Sequence, residues 1–193
     1  EHHTVCSSLS MLEDEKEAIT KQMQHLQKLQ KNVEHRLNTI HSAFSLPLDE
    51  IHLMTLPPRH CHRLFEGYKH EEEMDFLMKQ LINLNQNRLY IIGSNQMGTM
   101  ISLPSLLKKK TLSYQSVFLI DEEGSDLIDG GDYLCVTYRG NYEQSAYWGQ
   151  QLAQYAHAHK FKIRGDLLEI LWIDIHTTSD ESEYITQLQL PIA

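Results

Sequence analysis

Between residues 10 and 44 an apolar residue returns at every seventh position without a miss: Leu12, Ile19, Leu26, Val33 and Ile40. The complementary positions are Lys16, Met23, Gln30, Leu37 and Phe44, three of them apolar. The stretch holds no Gly and no Pro. Such a heptad pattern describes a helix that keeps one seam against a partner helix. At 1.5 Å per residue it would extend roughly 50 Å, too far to be covered by a domain of this size. An intermolecular coiled coil is expected, the other reading being a helix laid along its own domain. Lys16 and Gln30 in the seam weaken pairing and help fix its register. Ser10 with Glu13 three residues on makes a candidate capping box. The helix should end near Pro47, because proline disfavours helix in the residue before it.

Beyond residue 46 the period changes. Residues 51–65 read as a strand pair interrupted by Pro57 and Pro58, which cannot donate to a ladder. Residues 71–85 read as a helix with Met74, Leu77, Met78, Leu81 and Ile82 on one face. Strands are predicted over 89–92, 98–103 and 114–120, the last closed by the turn Asp121-Glu122-Glu123-Gly124. The order then recurs: strand 133–138, helix 143–159, strand 167–175, strand 184–192. Phe65-Glu66-Gly67-Tyr68 leads into the first helix and Tyr138-Arg139-Gly140-Asn141-Tyr142 into the second. A glycine at each corner suits a turn that needs positive φ. Two strand–helix–strand–strand units predict an α+β domain, one antiparallel sheet with two helices on a face. A duplication of this kind leaves a cleft between its halves. The organisation is a dimerisation helix over residues 1–46 and a sheet domain over 47–193.

Composition narrows the partners. The chain of 193 residues carries 17 Lys and Arg against 26 Asp and Glu, a net charge of −9. Its 41% hydrophobic and 22% charged residues are ordinary for a globular protein. An acidic chain with one short basic run, Lys108-Lys109-Lys110, is not built to grip nucleic acid by itself. No apolar run reaches the roughly 20 residues of a membrane span, and no secretory signal is evident. Three widely spaced cysteines, Cys6, Cys61 and Cys135, are a poor disulfide framework and fit reduced thiols in the cytoplasm.

Candidate chemistry centres on Glu169. Strand alternation puts it on one face with Leu167, Leu171, Ile173 and Ile175. A carboxylate in an apolar row is costly unless paired. It is a salt-bridge partner, lies at an exposed strand end, awaits a cationic ligand, or serves as a general acid or base. Tyr68, Tyr138, Tyr142, Tyr147 and Tyr184 fall at corners or near segments that frame the cleft. Aromatic faces with one carboxylate suit lipophilic cations, although tyrosines at such spacing are more often plain packing residues. His60-Cys61-His62 is too sparse for a metal site, and no metal or cofactor is expected. Ser105-Leu106-Leu107-Lys108 matches S-x-x-K without the motifs that accompany it in serine enzymes, and reads as chance.

Several stretches carry a resemblance. Tyr90-Ile91-Ile92-Gly93, Tyr138-Arg139-Gly140-Asn141-Tyr142-Glu143, residues 165–174 and residues 183–192 resemble the C-terminal part of MerR-family transcription activators of the multidrug-sensing kind. The last two stretches are similar to the GyrI-like effector-binding domain, whose duplicated β-α-β-β fold agrees with the repeat above. The resemblance covers nearly the whole chain. It implies a homodimer through antiparallel pairing of the long helix. It also implies a DNA-binding domain ahead of that helix, absent from this sequence, so that DNA and RNA polymerase are reached only by the full-length regulator. For the site it implies a small lipophilic, cationic effector whose charge meets Glu169. Tyr184 and Tyr68 stand at matching positions as stacking residues, with Tyr142 and Tyr147 beside them. The family often has an aromatic residue where Leu168 stands, which leaves ligand shape open. A non-enzymatic sensor is expected. The rivals are a GyrI-like hydrolase and a gyrase-inhibitor-type interaction module.

Overall fold

The computed structural model describes residues 4–68, 71–84, 96–108 and 112–193. Helix α1 spans Val5–Ala43. Its cap lies six residues before the predicted one. Thr4 is the N-cap, exchanging bonds with Ser7 in a capping box, and Ser10 lies inside the helix. No helix breaker stands between Thr4 and Ser10, so the earlier cap takes over.

Strands β1 (His52–Leu56), β2 (Arg59–Leu64), β3 (Met97–Ile101), β4 (Tyr114–Ile120), β5 (Asp126–Ile128), β6 (Gly131–Arg139), β7 (Leu167–Ile173) and β8 (Ile185–Pro191) form one antiparallel sheet. Helices α2 (Glu71–Leu84) and α4 (Gln144–Ala158) follow β2 and β6, and a short α3 (Leu103–Leu107) follows β3. The strand order is β1-β6-β8-β7-β3-β4-β2-β5. The two predicted units, β2-α2-β3-β4 and β6-α4-β7-β8, therefore meet at the central β3–β7 pair. The α+β duplication is the fold found.

The sheet curls on itself. β1 and β2 were expected to pair with each other. Instead β1 pairs with β6, and β2 with β4 and β5. Only Pro57 and Pro58 separate them, yet they occupy the first and seventh places in the strand order. A diproline cannot make the tight hairpin turn that would join them. Met54 and Leu56 from one end of the sheet and Cys61 and Ile128 from the other pack with Leu168 and Ile170 of the central strand on the concave face.

The other face carries the helices. α4 and α3 bury Leu152, Ala156 and Leu106 on Ile101, Val136, Leu167 and Leu188. α2 buries Met74, Leu77, Met78 and Leu81 on Met97, Val117, Leu119 and Leu171. The side chain of Ile82 and the strand expected at 89–92 fall outside the described residues. Of the two corner glycines, Gly140 has φ 112. Gly67 does not take positive φ. Its need is close approach, since an added Cβ would stand 3.2 Å from the Tyr114 carbonyl oxygen. α1 touches the domain only through its last turns among the described contacts of its apolar side chains: Ile40 and Ala43 pack with Trp172, Ile173 and Ile185. Arg36 bonds the Trp172 carbonyl at 3.3 Å and the Thr177 hydroxyl. No helix among the described residues is long and apolar enough to cross a membrane.

Candidate functional site

Glu169 occupies the middle of the sheet on the helix-covered face. Register places it opposite Thr99 of β3 on one side and Leu188 of β8 on the other. Its neighbours along β7, Leu167 and Leu171, belong to the α4 and α2 cores respectively. The carboxylate therefore lies on the seam between the two repeats. The predicted apolar row stops short of its expected length. The β7–β8 register shifts between Leu171 and Ile173, Ile173 turns to the α1 contact, and Ile175 is exposed beyond the strand.

The side chain is 1% exposed. That removes the reading of an exposed strand end. Thr99 Oγ1 donates to Glu169 Oε2 at 2.8 Å. Ser145 Oγ, in the first turn of α4, donates to Glu169 Oε1. Ser145 Oγ also meets the Tyr138 hydroxyl at 2.6 Å. One donor comes from each repeat, and Thr99, Ser145 and Tyr138 are fully buried. Hydroxyl donors favour the charged form of a carboxylate.

The tyrosines gather in pairs beside this group. Tyr68 stacks on Tyr114 with centroids 4.6 Å apart and an 11° interplanar angle. Tyr142 stacks on Tyr184 at 5.5 Å and 27°. Tyr68, Tyr114 and Tyr142 all pack against the α2 core that contains Leu171, two residues from Glu169. Tyr147 is placed differently. It is 58% exposed on α4, with its ring edge-on to Trp148 at 5.1 Å. A cleft of about 420 Å³ reaches Tyr68 from outside, lined by Glu66, Gly67, Tyr68, Glu73, Phe76 and Leu77. Two carboxylates at its wall give it an acidic entrance.

Of the site residues expected from the sequence, Glu169, Tyr68, Tyr142 and Tyr184 are thus brought to one region, and Tyr147 is not. Thr99, Ser145 and Tyr114 were not singled out. Aligning the two repeats strand for strand would have set Thr99 opposite Glu169; a serine in a helix's first turn carries no comparable signal. His60 and His62 share the face away from Cys61. His60 Nδ1 lies 3.2 Å from the Gly124 carbonyl and His62 Nε2 lies 3.5 Å from Asp121. No group of three metal-binding side chains is present among the described residues.

An eight-stranded curled sheet of two β-α-β-β units behind a long helix defines the fold class. The chain is similar over 98% of its length, and 77% of the other's, to a chain of the cryo-EM structure of an EcmrR–DNA complex in EcmrR-RPo, at 14% identity and TM-score 0.60. The crystal structure of the EcmrR C-terminal domain matches 75% of this chain and 97% of its own at 15% identity and TM-score 0.57. The larger share takes in the long helix. SAV2435 bound to tetraphenylphosphonium is similar over 75% of this chain and 94% of its own, at 13% identity and TM-score 0.48, a likeness too loose to bear on function. At these identities the likeness is one of fold, that of the EcmrR C-terminal domain and the long helix before it. No protein-family model matches the chain, and no curated protein sequence matches it.

Proposed function

We propose that this chain is the effector-sensing and dimerisation part of a MerR-family transcription regulator, and that its effector is a small lipophilic cation. The observation that carries this reading is Glu169: a carboxylate buried mid-sheet, held by neutral hydroxyls from both repeats, with tyrosine pairs beside it. A carboxylate and aromatic faces together suit a lipophilic cation, through its charge and through cation–π attraction. Glu169 meets the ligand's charge. Tyr68, Tyr142 and Tyr184 stack on its rings, and Tyr147 serves at the outer edge of α4. Glu66 and Glu73 draw cations into the outer cleft.

Residues 1–46 act as the dimerisation unit and 47–193 as the effector domain. Binding favours one arrangement of the dimer by its differential affinity for the two. Ser145 belongs to α4, and Trp172 and Ile173, three and four residues after Glu169, hold the end of α1. A ligand at Glu169 thus acts on α4 directly and on α1 through β7. In the full regulator α1 leads to a DNA-binding domain, through which promoter DNA and RNA polymerase are reached. The setting is the cytoplasm.

The test is a thermal-shift titration with tetraphenylphosphonium against neutral triphenylphosphine oxide. A ligand that binds only the native state raises the melting temperature by mass action. Stabilisation by the cation alone supports the reading, and stabilisation by neither overturns it. The contact of the Ser145 hydroxyl with Glu169 also admits a second reading, a hydrolase. That reading requires turnover of a chromogenic ester, lost in Glu169→Gln.

A further inference from the structure

The concave face, opposite to Glu169, holds half-buried charge of the other sign. Strand alternation turns Arg59, Cys61 and Arg63 of β2 toward it. Arg59 Nη2 donates to Gln189 Oε1 at 2.8 Å. The chain continues from Gln189 to Gln187 at 2.8 Å and from Gln187 to Thr137 at 3.1 Å. Every acceptor in it is neutral. The guanidinium also lies over the Tyr133 ring, 5.9 Å from its centroid. Burial pulls Arg59 below the usual arginine value, but an arginine keeps its proton in a protein.

Four buried polar atoms on this face have no hydrogen-bond partner: Nε of Arg59, Nε of Arg63, Oγ of Ser116 and Nε1 of Trp172. All four are N–H or O–H donors. Donors left unmatched in an interior are costly and call for an explanation. One of the four, Arg63, lines a cavity of about 160 Å³, together with Tyr133, Arg164, Leu168, Asp129 and Asp166 among others. That space exceeds the roughly 30 Å³ share of one water several times over. Asp129 and Asp166 line the cavity, yet among the described residues no carboxylate stands within 4.0 Å of an arginine nitrogen. Asp166 Oδ1 is taken by the Leu103 N–H at 2.8 Å. Arg164 Nε holds the Ile192 carbonyl at 2.6 Å, which fixes its planar fork beside the cavity.

We infer that the concave face is a second binding site, for the phosphate or carboxylate group of a small molecule, gripped by Arg63 and Arg164, with Arg59 adding charge from four residues back along the same strand. Planar guanidinium forks match the geometry of both oxyanions. The site is independent of Glu169, which lies on the other face of the sheet.

The experiment is calorimetric titration of the whole chain with sodium phosphate, and separately with sodium acetate, at constant ionic strength in chloride buffer. Saturable binding is expected. Arg63→Gln and Arg164→Gln each weaken it roughly tenfold or more, the value of a lost charge-assisted hydrogen bond. Lys21→Gln, the same loss of charge on α1, keeps the original affinity. Phosphate alone binding assigns a phosphoryl ligand, and acetate also binding assigns a carboxylate. If Arg63→Gln fails to fold by circular dichroism, Arg164→Gln, at an exposed side chain, carries the comparison. No saturable binding of either anion, or equal binding by the original chain and Arg164→Gln, overturns the proposal.

Discussion

Glu169 shares its sheet face with Leu167, Leu171 and Leu188, and with Thr99 opposite it on β3. Its polar partners fix what substitution does. In Glu169→Gln the amide still offers an oxygen to one hydroxyl, and the other hydroxyl can turn to accept from the NH2. Fold and melting temperature should therefore change little. Affinity for a cationic dye should fall at least about tenfold, because the charge is what the ligand reads. A fluorescence titration that finds unchanged affinity removes Glu169 from the site. Ser145→Ala behaves in the opposite way. It strips Glu169 Oε1 of a donor and the Tyr138 hydroxyl of a partner, both deeply buried. The expected loss is about 1–3 kcal/mol, read from the urea midpoint at unchanged slope. The cysteines give a third test. Burial pushes Cys135 up to about 12 and raises Cys61 as well. Thiolate is the reactive form, and at pH 8 these two supply almost none. A thiol reagent should label Cys6 alone in the native protein, and all three cysteines after denaturation.

At the scale of elements, what the sequence showed and what it hid follow from the range of the interaction. Heptads, alternation and the repeated corners are local, and α1, α2, α4, β4, β6, β7 and β8 came out within a few residues of their bounds. Strand pairing is not local. The run from residue 51 to 65 looks like a hairpin until the sheet order shows its halves at distant places. α3 and β5 were missed because five and three residues give too little periodicity to read. At the site, Glu169 was legible as a charge that breaks an apolar row. Its hydroxyl donors were not, since Thr99 and Ser145 become partners only when β3 and α4 close on β7. The glycines on the contacting elements test that closure. A Cβ at Gly98 would stand 2.5 Å from the Glu169 carbonyl oxygen and 2.5 Å from the Phe118 ring. At Gly149 it would meet Leu106 Cδ1 at 2.7 Å and Leu167 Cδ2 at 3.0 Å, flexible ends that can turn aside. Gly98→Ala should cost about 3 kcal/mol, as severe overpacking does, and Gly149→Ala less than half as much. Equal midpoints for the two would mean that the β3–β7 contact is looser than its geometry.

For the whole molecule the question is what α1 does with its apolar seam. At 39 residues it runs about 58 Å, and the sheet domain engages only its last turns through apolar contacts. Leu12, Ile19, Met23 and Leu26 are each more than half exposed, whereas Ile40 is drawn into the domain. The one seam thus divides into an outer part facing solvent and an inner part docked on β7 and β8. Lys28 and Glu123 stand 4.0 Å apart, both well exposed, and a pair of that kind adds little to hold the helix down. Burying a Leu or Ile side chain is worth about 1.5–3 kcal/mol, so a second copy of the helix laid on the outer seam would gain several such increments. Ile19→Asp combined with Leu26→Asp puts charge into the middle of that seam and leaves the docked end untouched. Sedimentation should then show a dimer for the original chain and a monomer for the double variant. The melting of the sheet domain should be preserved, because neither residue touches it. A monomeric original chain, or a dimer that survives both aspartates, would place self-association somewhere other than α1. The route from Glu169 through β7 to a partner subunit would then have to be drawn without the helix.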